Sequence, residues 1–362
     1  MLNRALLIGF VLITVIYSCK KATNGADAVN IENEPYILEY GTTLPAPNLP
    51  MDNPLTKAKV QLGRMLFYEK SLSGDNTMAC ATCHKQENAF SDVSQFSIGI
   101  DGLPGKRQAM AIMNMAWNSA GYFWDGRAST LRQQSLMPIQ DVLEMHETLS
   151  NAVDELASKP MYKDQFKKAF GSTSVTSEKI SLALEAFMLT MVSGHSKYDQ
   201  YLAGQATLNT SEENGRKLFF AEYNPGFPNL SGADCAHCHS GSNFENNLYM
   251  NNALDLESDI LDFGHMNVTS NASDKGKFKV PTLRNIAVTF PYMHDGRFTT
   301  LEQVIDHYNS DIRTSSTADP ALMATQSTGL MLTSQDKADL VNFLKTLTDN
   351  SFLTDQRFSN PH

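Results

Sequence analysis

The sequence predicts a mainly α-helical protein made of two related halves with long loops. Two kinds of observation predict it. The first is helical periodicity without strand periodicity. Ile180, Leu184, Phe187, Met188 and Met191 recur at helical spacing behind Thr176, a candidate cap. Residues 211–220 open with Glu212 and Glu213, acids that suit the positive end of a helix. Leu340, Phe343, Leu344 and Leu347 form another stripe after Ser334, and Val-rich alternating runs are scarce. Met188 and Met191 read as core positions rather than metal ligands. The second is an internal repeat. Gly63-Arg64-Met65-Leu66-Phe67 is echoed by Gly215-Arg216-Lys217-Leu218-Phe219. The run from Tyr122 through Asp125-Gly126-Arg127 to Leu131 is echoed by the run from Tyr292 through Asp295-Gly296-Arg297 to Leu301. Residues 85–108 and 224–280 are loop-like, rich in Gly, Asn, Asp and Ser, and long ordered loops are often functional.

A chain of 362 residues allows about two domains at roughly 150 residues each. With 42% hydrophobic and 19% charged residues, it can bury a core. Lys+Arg 29 against Asp+Glu 39 leaves a net charge of -10, which argues against nucleic acid, since phosphate binding needs basic surface. The balance suits attraction of a basic partner. Behind Arg4, residues 5–17 are mostly apolar, too short to span a bilayer and suited to an export signal. Ser18 before Cys19 resembles a lipoprotein cleavage site, so the expected organisation begins with a signal at 1–19, a lipid anchor on Cys19 and an extension at 20–52. Membrane attachment is expected through that anchor alone.

The other four cysteines carry the chemistry. Residues 80–84 read Cys-Ala-Thr-Cys-His and residues 235–239 read Cys-Ala-His-Cys-His. C-x-x-C-H is the attachment signature of c-type haem: two thiols tether the macrocycle and the adjacent His ligates the iron. A zinc ribbon places its Cys pairs about 15–20 residues apart, whereas 151 residues lie between Cys83 and Cys235. A redox dithiol would not need His84 and His239. Two covalent haems are therefore expected, on Cys80, Cys83 and His84 and on Cys235, Cys238 and His239. The fold class becomes two cytochrome-c-like haem domains related by duplication, at 53–205 and 206–362.

With these motifs in place, the sequence resembles the bacterial dihaem cytochrome c peroxidase family, which includes the MauG-type enzymes. The resemblance covers about residues 53–350. It rests on both C-x-x-C-H motifs, on Phe123-Trp124-Asp125-Gly126-Arg127, on Pro281-Thr282-Leu283-Arg284-Asn285 and on Pro291-Tyr292-Met293-His294-Asp295-Gly296. It implies a periplasmic enzyme reducing hydrogen peroxide with electrons from a small redox protein, a cytochrome or cupredoxin. It makes His84 the iron ligand of the peroxide site, His239 that of the electron-transfer site and Trp124 the bridge between them. It places the proton-moving carboxylate at Glu144, within Val142-Leu143-Glu144-Met145, and a pocket amide at Gln134. It also implies a calcium site between the domains, with backbone carbonyls near Thr289 and Pro291, and Gln108 where an Asn is usual. Arg284 and Met293 are expected around a haem, where Arg can pair a propionate. Trp117 lies outside the motifs and reads as core.

Two departures bear on function. The loop that carries a removable distal His in many such peroxidases reads Ser97-Ile98-Gly99-Ile100-Asp101-Gly102 here, with Ile100 at the His position. Ile100 cannot ligate iron, so the first haem is expected to lack a side-chain distal ligand. The position fourteen residues after His294, usually Met, is Tyr308, the residue type of MauG-type enzymes. His307, Met266 and Met293 are the competing ligands. The expected function is peroxide reduction. A MauG-type oxidation of a protein or organic substrate is the first alternative, and a dihaem electron carrier without enzymatic activity is the second. A homodimer is left open.

Overall fold

The computed structural model describes residues 34–362. The expected export signal and Cys19 lie outside the described residues. Eight helices of ten residues or more carry the described fold: α1 (Lys57–Phe67), α2 (Leu131–Gln140), α3 (Leu149–Ser158), α4 (Pro160–Phe170), α5 (Ser177–Met188), α6 (Thr210–Phe220), α7 (Leu301–Ser310) and α8 (Ser334–Lys345). The described sheet is one antiparallel pair, β1 (Tyr249–Met250) with β2 (Phe278–Lys279), in which Tyr249 faces Lys279. No helix among the described residues is long and apolar enough to cross a membrane.

The expected helices form, with shifts at their ends. Thr176 caps α5, its side chain accepting from the Lys179 N–H. Helix α6 starts a residue early because Asn209 and Glu212 close a capping box. Thr333 rather than Ser334 caps α8, in a box with Asp336. Met188 and Met191 are buried core residues, as expected, while Trp117 is half-buried at the edge of the first core.

Helix α1 crosses α5 in the first half, and α6 crosses α8 in the second. Both crossings turn on a glycine. A Cβ on Gly63 would lie 1.9 Å from the Ala183 carbonyl oxygen, and a Cβ on Gly215 would lie 1.9 Å from that of Asp339. Two apolar cores result. The first gathers Leu62, Leu66, Phe67, Phe90, Phe166 and Phe187; the second gathers Phe219, Phe244, Ile305, Leu340 and Phe343. Tyr198 already packs in the second core, upstream of the expected boundary near 205. Phe352 and Phe358 return to the first, their rings against Phe90 at 5.7 and 6.4 Å. The last residues of the expected second domain are thus part of the first core.

Buried polar groups join the halves. Asn114 Nδ2 donates to Asn243 Oδ1 at 2.9 Å, and Asn285 Nδ2 donates to Ser193 Oγ at 2.9 Å. Both asparagines adopt left-handed backbone, φ 53° and 55°, before a short 3-10 turn. Arg284 is 2% exposed and makes a bidentate pair with Asp199 at 2.8 and 2.9 Å. This corrects its expected role at a haem: its guanidinium is spent on a carboxylate and on the Ser242 carbonyl.

Candidate active site

Each C-x-x-C-H segment folds as one tight turn. Cys80–Cys83 is a single helical turn and Cys235–His237 a 3-10 turn, after which the adjacent His ring points inward. His84 Nδ1 lies 2.7 Å from the Phe90 carbonyl, and His239 Nδ1 lies 3.1 Å from that of Phe244. A carbonyl only accepts, so Nδ1 carries the proton in both rings and Nε2 is left with its lone pair. Such a second bond also fixes ring orientation in metal-ligating histidines. Burial lowers the pKa of both imidazoles, that of His239 to about 4, so both are neutral at pH 7. None of the four cysteines is in a disulfide.

His84 opens onto a cavity of about 810 Å³. Cys80 and Cys83 lie on its wall, and Gln134, Glu144, Gln108 and Trp124 also line it. Four residues singled out by resemblance therefore share one space with the first motif. The thiols, the imidazole with a free Nε2 and a cavity of this size fit a covalent haem.

Glu144 sits in the turn after α2, and backbone bonds hold it from two sides. Its N–H donates to the Asp141 carbonyl at 3.0 Å, and its carbonyl accepts from the Ile100 N–H at 2.9 Å. Burial pushes its pKa up to about 7, Asp141 adding to the rise and Arg127 opposing it. Gln134 is carried by α2 itself, which Thr130 caps. On the loop expected to lack a distal His, Ile98 and Gly99 line the cavity, and Asp101 turns away to pair His146 Nδ1 at 2.6 Å. His84 is the one imidazole among the described residues of the wall.

Trp124 is 9% exposed and held at both ends. Its Nε1–H donates to the Gln108 carbonyl at 2.8 Å, and its own carbonyl accepts from the Lys279 N–H at 2.7 Å. It therefore links the loop at 85–108 to β2 of the other half. The turn that carries it is stiffened by ions: Arg107 pairs Asp125 at 2.6 Å and Asp262 at 2.7 Å, and Arg127 lies over the Phe123 ring at 3.6 Å.

Tyr308 lies on the inner side of α7, where the fields of Cys235 and Cys238 reach its hydroxyl, and burial raises its pKa. The competing His307 is 2% exposed and bonded through Nε2 to the Asn252 carbonyl at 3.0 Å. Met293 Sδ accepts from Asn252 Nδ2 at 3.2 Å. Met266 starts a short helix at Met266–Thr269. Of the expected calcium residues, Gln108 gives its amide N–H groups to Ser91 Oγ at 3.0 Å and the Asp92 carbonyl at 3.1 Å. Thr289 and Pro291 lie together on the turn before Tyr292.

Sequence reasoning missed Arg107, Asp262, Asn114 and Lys279, and gave Asn285 no role beyond its place in a motif. Asn114 and Asn285 had a signal, since Asn114 lies eight residues before Tyr122 and Asn285 seven before Tyr292, the tyrosines that open the two D-G-R copies. The others carry no motif and are brought in only by folding.

Fold and site together define a mainly helical protein with two c-type haem-binding segments, one facing a cavity with a half-buried carboxylate. A family model described as di-haem cytochrome c peroxidase matches residues 57–207. Cytochrome c551 peroxidase of Nitrosomonas europaea is 37% identical over 249 residues, 68% of this chain and 71% of that one. Methylamine utilization protein MauG of Methylophilus methylotrophus is 32% identical over 299 residues, 82% and 84% of the two chains. A crystal structure of a MauG-like protein associated with microbial copper homeostasis superimposes with a TM-score of 0.79, at 34% identity, over 90% of this chain and 99% of that one. The chain belongs to the di-haem cytochrome c peroxidase and MauG family, whose relatives named as peroxidases are oxidoreductases acting on peroxide.

Proposed function

We propose that the protein reduces hydrogen peroxide to water with two electrons from a small redox protein, a cytochrome or cupredoxin. The observation that carries the reading is Glu144, a half-buried carboxylate on the same cavity wall as His84. When bound, the haems supply redox-active iron at His84 and His239. Cleavage of peroxide to water requires a proton to leave the inner oxygen and reach the outer one. Glu144 performs that transfer, ionised to accept the proton and neutral to return it, and a pKa of about 7 makes both forms accessible near neutral pH. Gln134 positions peroxide through its amide. Trp124, fixed at both ends, couples the halves. With Ile100 on the distal loop, peroxide enters without displacement of a side-chain ligand.

Tyr308 favours a second reading, MauG-type oxidation of a protein or organic substrate. A phenolate ligand at the His239 haem would lower its potential relative to a thioether and favour oxidised iron. Steady-state peroxide turnover with a reduced cytochrome, set beside protein oxidation without it, separates the two. Turnover without protein oxidation supports the peroxidase, and the reverse supports the oxidase.

Three further parts belong to the reading. The parallel Gly63 and Gly215 crossings and the paired D-G-R turns support descent of the halves by duplication. Export to the periplasm with a lipid anchor rests on residues 1–19. A calcium ion would sit on carbonyl oxygens of Gln108, Thr289 and Pro291.

A further inference from the structure

Lys279 is a buried cation with no part in the chemistry above. It ends β2 in the second half, yet the residue lines the first-half cavity together with Cys80, Cys83 and His84, and its side chain reaches Asn118 of the first half. It is 6% exposed. Its Nζ donates to Asn118 Oδ1, and no ion pair reaches it among the described residues. Glu245 is the carboxylate whose field it feels, and that group is itself bonded by Asn243 Nδ2 at 2.5 Å. The amide that holds Lys279 is unfinished as well: Asn118 Nδ2 is buried without an acceptor in hydrogen-bond geometry, with the Tyr122 hydroxyl as its polar neighbour.

The other cations of that wall are accounted for. Arg107 is ion-paired to Asp125 and Asp262, its Nη1 facing Asp125 outside hydrogen-bond geometry, Arg127 is paired to Asp125, and Lys106 is exposed. A buried ammonium that feels a carboxylate only at a distance, with none at ion-pair range, is costly, and an anion that joins it lowers that cost. A haem brings two carboxylates of its own, the propionates. We propose that Lys279 binds a propionate of the first haem, so that the second half completes the cofactor site of the first. The inference rests on the reading that this cavity holds a haem. Lys279 is a cofactor-positioning residue whose charge also offsets that of the propionate. Removing it would leave the propionate charge uncompensated and favour the ferric state.

The test is a spectroelectrochemical titration of the fully loaded protein and its Lys279→Met variant, the first haem being the one whose spectrum changes with cyanide. The expected result is a first-haem reduction equilibrium about tenfold less favourable, about 59 mV lower for one electron. The second haem should be unmoved, and Lys279→Arg should restore most of the loss. Unchanged potentials, or a shift confined to the second haem, overturn the proposal. Where Lys279→Met loads incompletely, Lys279→Gln carries the same test. Intact mass separates this failure from that of the cofactor reading, because wild-type protein with fewer than two haems fails the latter alone.

Discussion

Glu144 combines partial burial, a backbone pinned by Asp141 and Ile100, and a place on the cavity wall that His84 shares. A positioned acid–base group contributes about 10²–10⁴-fold in rate. Glu144→Gln should therefore slow peroxide turnover by that factor with haem content intact, measured in the same sample. Turnover within about twofold of wild type would return Glu144 to a structural carboxylate. The pH dependence has a definite sign. Burial raises the pKa to about 7, so the proton-accepting form is lost below that pH. Wild-type kcat/KM should fall as pH drops through about 7, and the Gln variant should lose that limb. Ile100 makes a separate prediction: oxidised protein should bind cyanide without prior reduction. A rapid-mixing spectrum that stays unchanged until one electron is added would refute an open first haem.

At the scale of elements, the two helix crossings carry the haem segments. Gly63 and Gly215 each let a backbone carbonyl of the partner helix approach to where a side chain would stand. The obstacle is backbone, which cannot swing aside as a side-chain tip can. Overpacking of this kind costs about 1–3 kcal/mol. Gly63→Ala and Gly215→Ala should each lower holoprotein stability by about that amount in denaturant titration. Full stability in either would mean that the helices slide apart freely.

For the whole molecule, the buried Arg284–Asp199 pair ties the 3-10 region after β2 to the segment that enters the second core. Removing one partner of such a pair strands the other charge, typically at about 3–5 kcal/mol. Asp199→Ala should cost that much, while a loss below about 1 kcal/mol would rank the pair with exposed ion pairs. Burial works against the Asp199 charge, but the Arg284 guanidinium and hydroxyls of Thr43 and Ser196 outweigh it and hold the pKa down to about 2. The folded carboxylate thus binds its proton later than the unfolded one. Its stabilisation is present above the ordinary value of 3.8 and is lost as pH falls towards about 2, which acid titration of wild type against the variant should show. Intact mass of denatured, haem-matured protein should show two covalent haems, and a mass that fits zinc or disulfides alone would remove the cofactor reading.

Local chemistry accounts for what was legible in the sequence. C-x-x-C-H specifies thiol and imidazole spacing within one turn, helical stripes and caps act over a few residues, and the D-G-R turns need glycine at φ 77° and 64°. The mainly helical class, both haem segments and the cluster of Glu144, Gln134 and Trp124 were therefore readable, the last through resemblance. Long-range pairing was not. Arg284 looked like a propionate partner, and only the approach of Asp199, 85 residues away, claims its guanidinium. Phe352 and Phe358 look like the tail of the second half, yet their rings fill the first core. Lys279 falls in the 224–280 stretch that reads as loop, with no motif to single it out. The tertiary structure decides otherwise, because β2 pairs with β1 and bonds to the Trp124 carbonyl, and that docking carries an ammonium into the other half's cavity.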